Sequence, residues 1–122
     1  MAGTPDPLPL TDFQMAVEQK GEAAVVRLTG AVHMEVCDQL QKELLRLVDR
    51  PTRTLILDMS QLTFICSLGL GALVAAYVRS RRQKGAVRVV SPDPAIRAML
   101  EVTKLVQIFP PYESVDTALA GP

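Results

Sequence analysis

The chain has no tryptophan, one histidine and two cysteines, and aromatic residues fill only 4% of its 122 positions. Each scarcity closes off some chemistry. With His33 as the single histidine, histidine-rich metal sites and paired-histidine catalysis are excluded. Cys37 and Cys66 form neither a spaced metal motif nor a disulfide framework. Net charge is absent too: thirteen basic and thirteen acidic residues cancel. The basic excess with which proteins neutralise phosphates is therefore missing, which argues against direct contact with nucleic acid. The longest apolar run, Leu68 to Val78, is well short of the ~20 residues that span a bilayer, so no membrane insertion is expected. The opening "MAGTPDPLPL" has neither the basic nor the apolar region of a signal peptide. These absences lead to the expectation of a cytoplasmic protein with reduced thiols.

Apolar residues make up 48% of the chain, nearly all aliphatic. A chain of this length suits one domain, and folding removes roughly two thirds of its unfolded surface from water. Residues 1–12 carry three prolines and no hydrophobic period, and read as a flexible tail. Phe13, Met15 and Val17 then alternate as in a strand. "KGE" at 20–22 is a turn, and "AAVVRLTG" reads as a second, antiparallel strand. From Met34 to Asp49 the period becomes helical. Val36 or Cys37, Leu40, Leu44, Leu47 and Val48 share a face, with Glu35, Gln39, Lys42 and Glu43 outside.

"RPTR" at 50–53 ends that helix, and "TLILDM" is the nearly continuous apolar run of an interior strand. A turn through "MSQLTFI" leads to a second helix carrying Leu70, Leu73, Val74, Tyr77 and Val78. Arg79, Arg81 and Arg82 at its end complement the helix dipole rather than form a nucleic-acid patch. After Gly85 come the strand "AVRVV" and the helix "SPDPAIRAMLEV", with Ser91 as expected N-cap and Pro92 as first helical residue. A short apolar stretch at Val106 to Phe109 and a small helix around Ser114 to Leu119 complete the chain. The order implies an α/β domain with a mixed sheet and crossover helices.

"FICSLGLGAL" at 64–73 holds the residues of most interest. Phe64, Ile65 and Leu70 read as core, yet a cysteine, a serine and two glycines stand among them. "GLG" lacks the Lys-Ser/Thr of a nucleotide-hydrolase loop and the third glycine of a dinucleotide fingerprint. Gly69, Gly71, Ala72, Ala75 and Ala76 instead read as a small-residue face that lets the helix approach the sheet. No "GxSxG" elbow supports a serine nucleophile, and nothing else accompanies a Cys66–His33 pair toward acyl transfer. Cys66 has no cationic neighbour to lower its thiol pKa, which argues against redox chemistry.

Ser67 has two readings. It is a natural N-cap, its hydroxyl accepting from the N–H of Gly69 or Leu70. The same place stabilises added negative charge, so a phosphate there would leave the fold intact and alter a patch lined by Phe64, Leu68 and Leu70.

Taken in order, "VVRLTGAV", "LILDMSQLTFI", "CSLGLGAL" and "SPDPAIRAMLEVTKL" resemble the STAS domains (sulphate transporter and anti-sigma factor antagonist). Within these they resemble the stand-alone bacterial anti-sigma factor antagonists, over roughly residues 13–120. The resemblance implies a single α/β domain, a mixed sheet of four to five strands packed against about four helices. It aligns "CSLGLGAL" with the family's "DSSGLGxL" and so places the phosphorylated serine at Ser67.

It implies a partner-switching protein that is not an enzyme and carries no cofactor. The unmodified form binds an anti-sigma factor serine kinase and frees a sigma factor; phosphorylation releases it, and a serine phosphatase restores it. The implied partner surface is His33, Phe64, Cys66, Ser67, Leu68, Gly69 and Leu70, on a monomer or weak dimer. A second reading is a STAS accessory subunit of a lipid-transport ATPase complex, in which the serine is a contact without modification. Three positions depart from the family pattern. Cys66 and His33 stand where it has Asp, and Leu68 where it has a second serine. Lys104 also replaces the glycine expected after the third helix.

Overall fold

The computed structural model describes residues 13–51, 53–91 and 93–121. The expected tail at 1–12 and the placement of Pro92 lie outside them. Strand β1 (Gln14–Lys20) turns back into β2 (Ala23–Val32), as the alternating pattern and the "KGE" turn require. Helix α1 (Met34–Val48) buries Cys37, Leu40, Leu44, Leu47 and Val48, the stripe expected from the helical period. Strand β3 (Thr54–Ile65), helix α2 (Ser67–Arg82) and strand β4 (Ala86–Val90) follow. Helix α3 (Pro94–Val102), a 3-10 turn at Leu105–Gln107 and helix α4 (Val115–Ala120) end the chain.

Four strands lie in the order β1-β2-β3-β4, antiparallel between β1 and β2 and parallel in the other two pairs. The main core lies on one face of the sheet, where α1, α2 and α3 contribute Leu40, Leu44, Leu73, Ile96 and Leu100 against Leu28, Leu55 and Leu57. On the other face Val25 and Ile56 pack with Val90 and Ala118, the latter from α4. Burial on both faces explains why "TLILDM" is apolar at nearly every position.

Three local expectations are corrected. The strand through "TLILDM" does not give way to a turn through "MSQLTFI"; β3 runs unbroken to Ile65. It does so by taking in two extra residues. Arg27 pairs with Asp58 but Thr29 with Gln61, and Gly30 pairs with Leu62 but Ala31 with Phe64. Each shift is a bulge on β3. At the first, the Asp58 carboxylate accepts from the Ser60 N–H at 3.1 Å and from its hydroxyl at 2.7 Å, so the displaced donor is satisfied locally. At the second, Gly30 takes a φ of 93°, accessible to glycine at little cost, and its carbonyl accepts from the Thr63 hydroxyl at 3.0 Å.

Second, Ser91 does not cap α3. The backbone of Ser91 stays tied beside the sheet, its N–H donating to the Tyr112 carbonyl at 3.2 Å, and Asp93 caps the helix by accepting from the Ala95 N–H at 2.8 Å. Third, Gly71 and Ala75 are not packed as closely as Gly69, Ala72 and Ala76, which are buried. Lys104 takes the left-handed conformation, φ 62°, which gives a physical reason for the glycine expected there.

Candidate functional site

The parallel pairing of β2 with β3 builds the site. Val32 and Ile65 are register partners at the ends of the two strands, and both are fully buried. The next residue of each, His33 and Cys66, is the N-cap of the following helix. Two helix starts therefore emerge side by side from one end of the sheet.

Cys66 continues the ladder by one bond, its N–H donating to the Val32 carbonyl at 3.0 Å. That bond keeps Cys66 extended, with φ −81° and ψ 171°. The expectation that Ser67 is the N-cap is accordingly corrected by one position: Ser67 is the first helical residue and is exposed. No side chain caps the first turn of α2, and no acidic residue lies in it. A helix start of this kind presents backbone N–H groups and positive dipole to solvent.

The second bulge decides which side chains surround Ser67. Leu62 points inward, and without an extra residue Phe64 would share its face. Because the register shifts, Thr63 and Phe64 both lie outside and Ile65 returns to the core. Phe64 is 40% exposed and stacks on the His33 ring, with centroids 5.0 Å apart. Leu68 is 55% exposed and Met34 is 68% exposed. Sequence reasoning missed Met34, although its place just outside the Cys37–Leu40–Leu44 stripe was a usable signal.

Gly69 and Leu70 lie beneath this surface. Leu70 is only 5% exposed and Gly69 is buried, so both shape the face without presenting side chains to a partner. A Cβ at Gly69 would come within 2.7 Å of Ile65 Cγ1 and 2.8 Å of Val32 Cγ1. Glycine here lets α2 begin directly on the strand ends.

The Cys66 sulfur meets that of Cys37, with Sγ atoms 3.3 Å apart, while the His33 ring stacks on Phe64. Both are free thiols, and Cys37 also donates to the His33 carbonyl at 3.4 Å. Burial pushes the Cys37 thiol up from its ordinary value of 9.0 to about 11, reinforced by Cys66 and by the negative charge of Glu35. Among the described residues no group of three or more His, Cys, Asp or Glu is placed to hold a metal ion. Among the same residues no helix is long and apolar enough to cross a membrane.

A mixed four-stranded sheet with two helix starts side by side at the ends of its central parallel strands defines a small α/β binding domain. Residues 14–118 match the STAS domain family, and the chain belongs to it. The anti-sigma factor antagonist BtrV of Bordetella bronchiseptica is 30% identical over 94 residues, covering 77% of this chain and 81% of that protein. An anti-sigma F factor antagonist of Paenibacillus polymyxa is 24% identical over 109 residues, covering 88% and 93%. Among solved structures, an anti-sigma factor antagonist from Mycobacterium paratuberculosis superposes with a TM-score of 0.80 at 31% identity, covering 89% of this chain and 92% of that one.

Proposed function

We propose that this chain is an anti-sigma factor antagonist, a regulatory binding module that catalyses nothing itself. It binds an anti-sigma factor serine kinase through His33, Met34, Phe64, Cys66, Ser67 and Leu68, and phosphorylation at Ser67 releases it. A serine phosphatase resets the cycle in the cytoplasm. The domain spans residues 13–120 and acts as a monomer or weak dimer without a cofactor. One observation carries this reading: an exposed serine begins an uncapped helix amid exposed Phe64, Leu68 and Met34. A phosphate there is tolerated by the helix start, and its nearly two negative charges oppose burial of the apolar face in a partner.

The test is incubation with ATP and the serine kinases of the same organism, with mass spectrometry to locate phosphate. Modification at Ser67, abolished in Ser67→Ala, is expected. Ser67→Asp is expected to keep its circular dichroism spectrum and to bind the kinase at least about tenfold more weakly, a loss of ~1.4 kcal/mol. Unchanged binding by Ser67→Asp, with no kinase modifying the wild type, would sink the switch. The second reading, an accessory subunit of a lipid-transport ATPase complex, is favoured by Cys66 at the N-cap of α2, where the family pattern has Asp. Co-purification with a permease and its ATPase, but with no kinase, would select it.

A further inference from the structure

The geometry points to Cys37 and Cys66 as a reversible thiol–disulfide site, closed by peroxide-class oxidants and opened by thiol reductants. The two sulfurs come from different helix starts, 29 residues apart in the chain, yet stand 3.3 Å from one another. Disulfide closure needs that proximity more than it needs a cation beside either thiol. The sulfur of a disulfide lies about 2.05 Å from its partner, so closure needs a shift of only about an ångström. Cys66 is half-buried, and Cys37 lines a surface groove of about 210 Å³ with Met34, Asp38, Gln41 and Leu68. Small oxidants and reductants therefore have a path to the pair.

The chemistry balances in two steps. The Cys66 sulfur attacks one oxygen of hydrogen peroxide, the O–O bond breaks, and sulfenic acid and water result. The Cys37 sulfur then displaces hydroxide from that sulfenic acid; the S–S bond forms, and the hydroxide leaves as water with the Cys37 proton. Two thiols are oxidised by two electrons and one peroxide is reduced to two waters. The raised pKa of Cys37 makes the second step slow at neutral pH and faster in alkali. A regulatory bridge of this kind suits a reducing compartment, where disulfides are transient.

This site stands independently of what the face binds, because its readout is mass alone. The full-length reduced protein is treated with hydrogen peroxide, and intact mass and non-reducing peptide maps are followed. The expected product is a monomer lighter by two hydrogens, with the peptides of Cys37 and Cys66 joined and dithiothreitol restoring both thiols. Formation is expected to be at least about tenfold faster in native protein than in urea, because folding raises the effective concentration of one thiol at the other. In Cys37→Ala the sulfenic acid on Cys66 should persist and be trapped by dimedone. Should that variant not fold, the wild-type map still decides. Two unreacted thiols, a Cys66–Cys66 dimer, or Cys66 carried to sulfinic acid beside a free Cys37 would overturn the proposal.

Discussion

Gly69 and Gly71 stand two positions apart in α2 and meet opposite surroundings. A Cβ at Gly69 meets Ile65 and Val32 below 3 Å, whereas nothing lies within 4 Å of one at Gly71. Alanine gains about 1 kcal/mol over glycine in a helix interior, while overpacking a filled site costs about 1–3 kcal/mol. Gly71→Ala is therefore expected to raise unfolding free energy by about 0.5–1 kcal/mol. Gly69→Ala should lower it by about 1 kcal/mol, because the γ carbons it strikes belong to buried β-branched side chains. Urea titration of the two variants checks both signs. Cys37 gives a second residue-scale test. Its thiol stays protonated in the fold to about pH 11, whereas the unfolded thiol ionises near its ordinary value of 9.0. Below 9 both states hold the proton and stability is unaffected; between 9 and 11 the unfolded state sheds it first, so stability falls as pH rises. Cys66 and Glu35 are the titratable groups acting on this thiol. The fall should be steeper in reduced wild type than in Cys37→Ala, measured by urea titration at each pH.

The bulges of β3 act at the scale of an element. Asp58 is nearly enclosed, holds the Ser60 N–H and hydroxyl, and lies 3.5 Å from the Arg27 guanidinium. Removing its carboxylate strands a donor lifted off the ladder, so Asp58→Ala should cost roughly 1–3 kcal/mol, with Asp58→Asn milder because one acceptor remains. Chemical denaturation of the pair tests the order. The segment "LILDMSQLTFI" also shows how far sequence carried. Its apolar run announced an interior strand, and the spacing of Cys37, Leu40 and Leu44 announced the buried stripe of α1. The continuation past Asp58 was hidden, because Asp, Ser and Gln signal a turn locally. Only pairing with β2 reveals that they are bulge residues in a longer strand. Ser67 was found to within one helix position, since its N-cap neighbour is chosen by the bond from Cys66 to Val32. The contact between Cys37 and Cys66 was not legible at all: it depends on a register between strands that spacing along the chain does not encode.

For the whole molecule, the sheet needs cover on both faces. Helix α4 is only six residues long, yet Ala118 packs with Val25 and Ile56 on the face opposite the main core, and Arg88 donates to the Ala118 carbonyl at 2.6 Å. A chain ending at Glu113 should keep the main core, lose roughly 2–4 kcal/mol of stability and expose an apolar strip. Dye binding that rises while helix content falls by no more than the six residues of α4, with an earlier urea midpoint, would be the signature. The opposite end of the sheet is arranged differently. Val32, Ile65, Gly69 and Leu70 fix the two helix starts from below, while His33, Met34, Phe64, Ser67 and Leu68 project beyond them. Identity of the exposed set is thereby insulated from the folding problem solved by the buried one. Duplicated copies of such a gene inherit a working scaffold and are free to drift in whom they recognise. Under the proposed function, parallel signalling lines in one cell would stay separate through these five side chains.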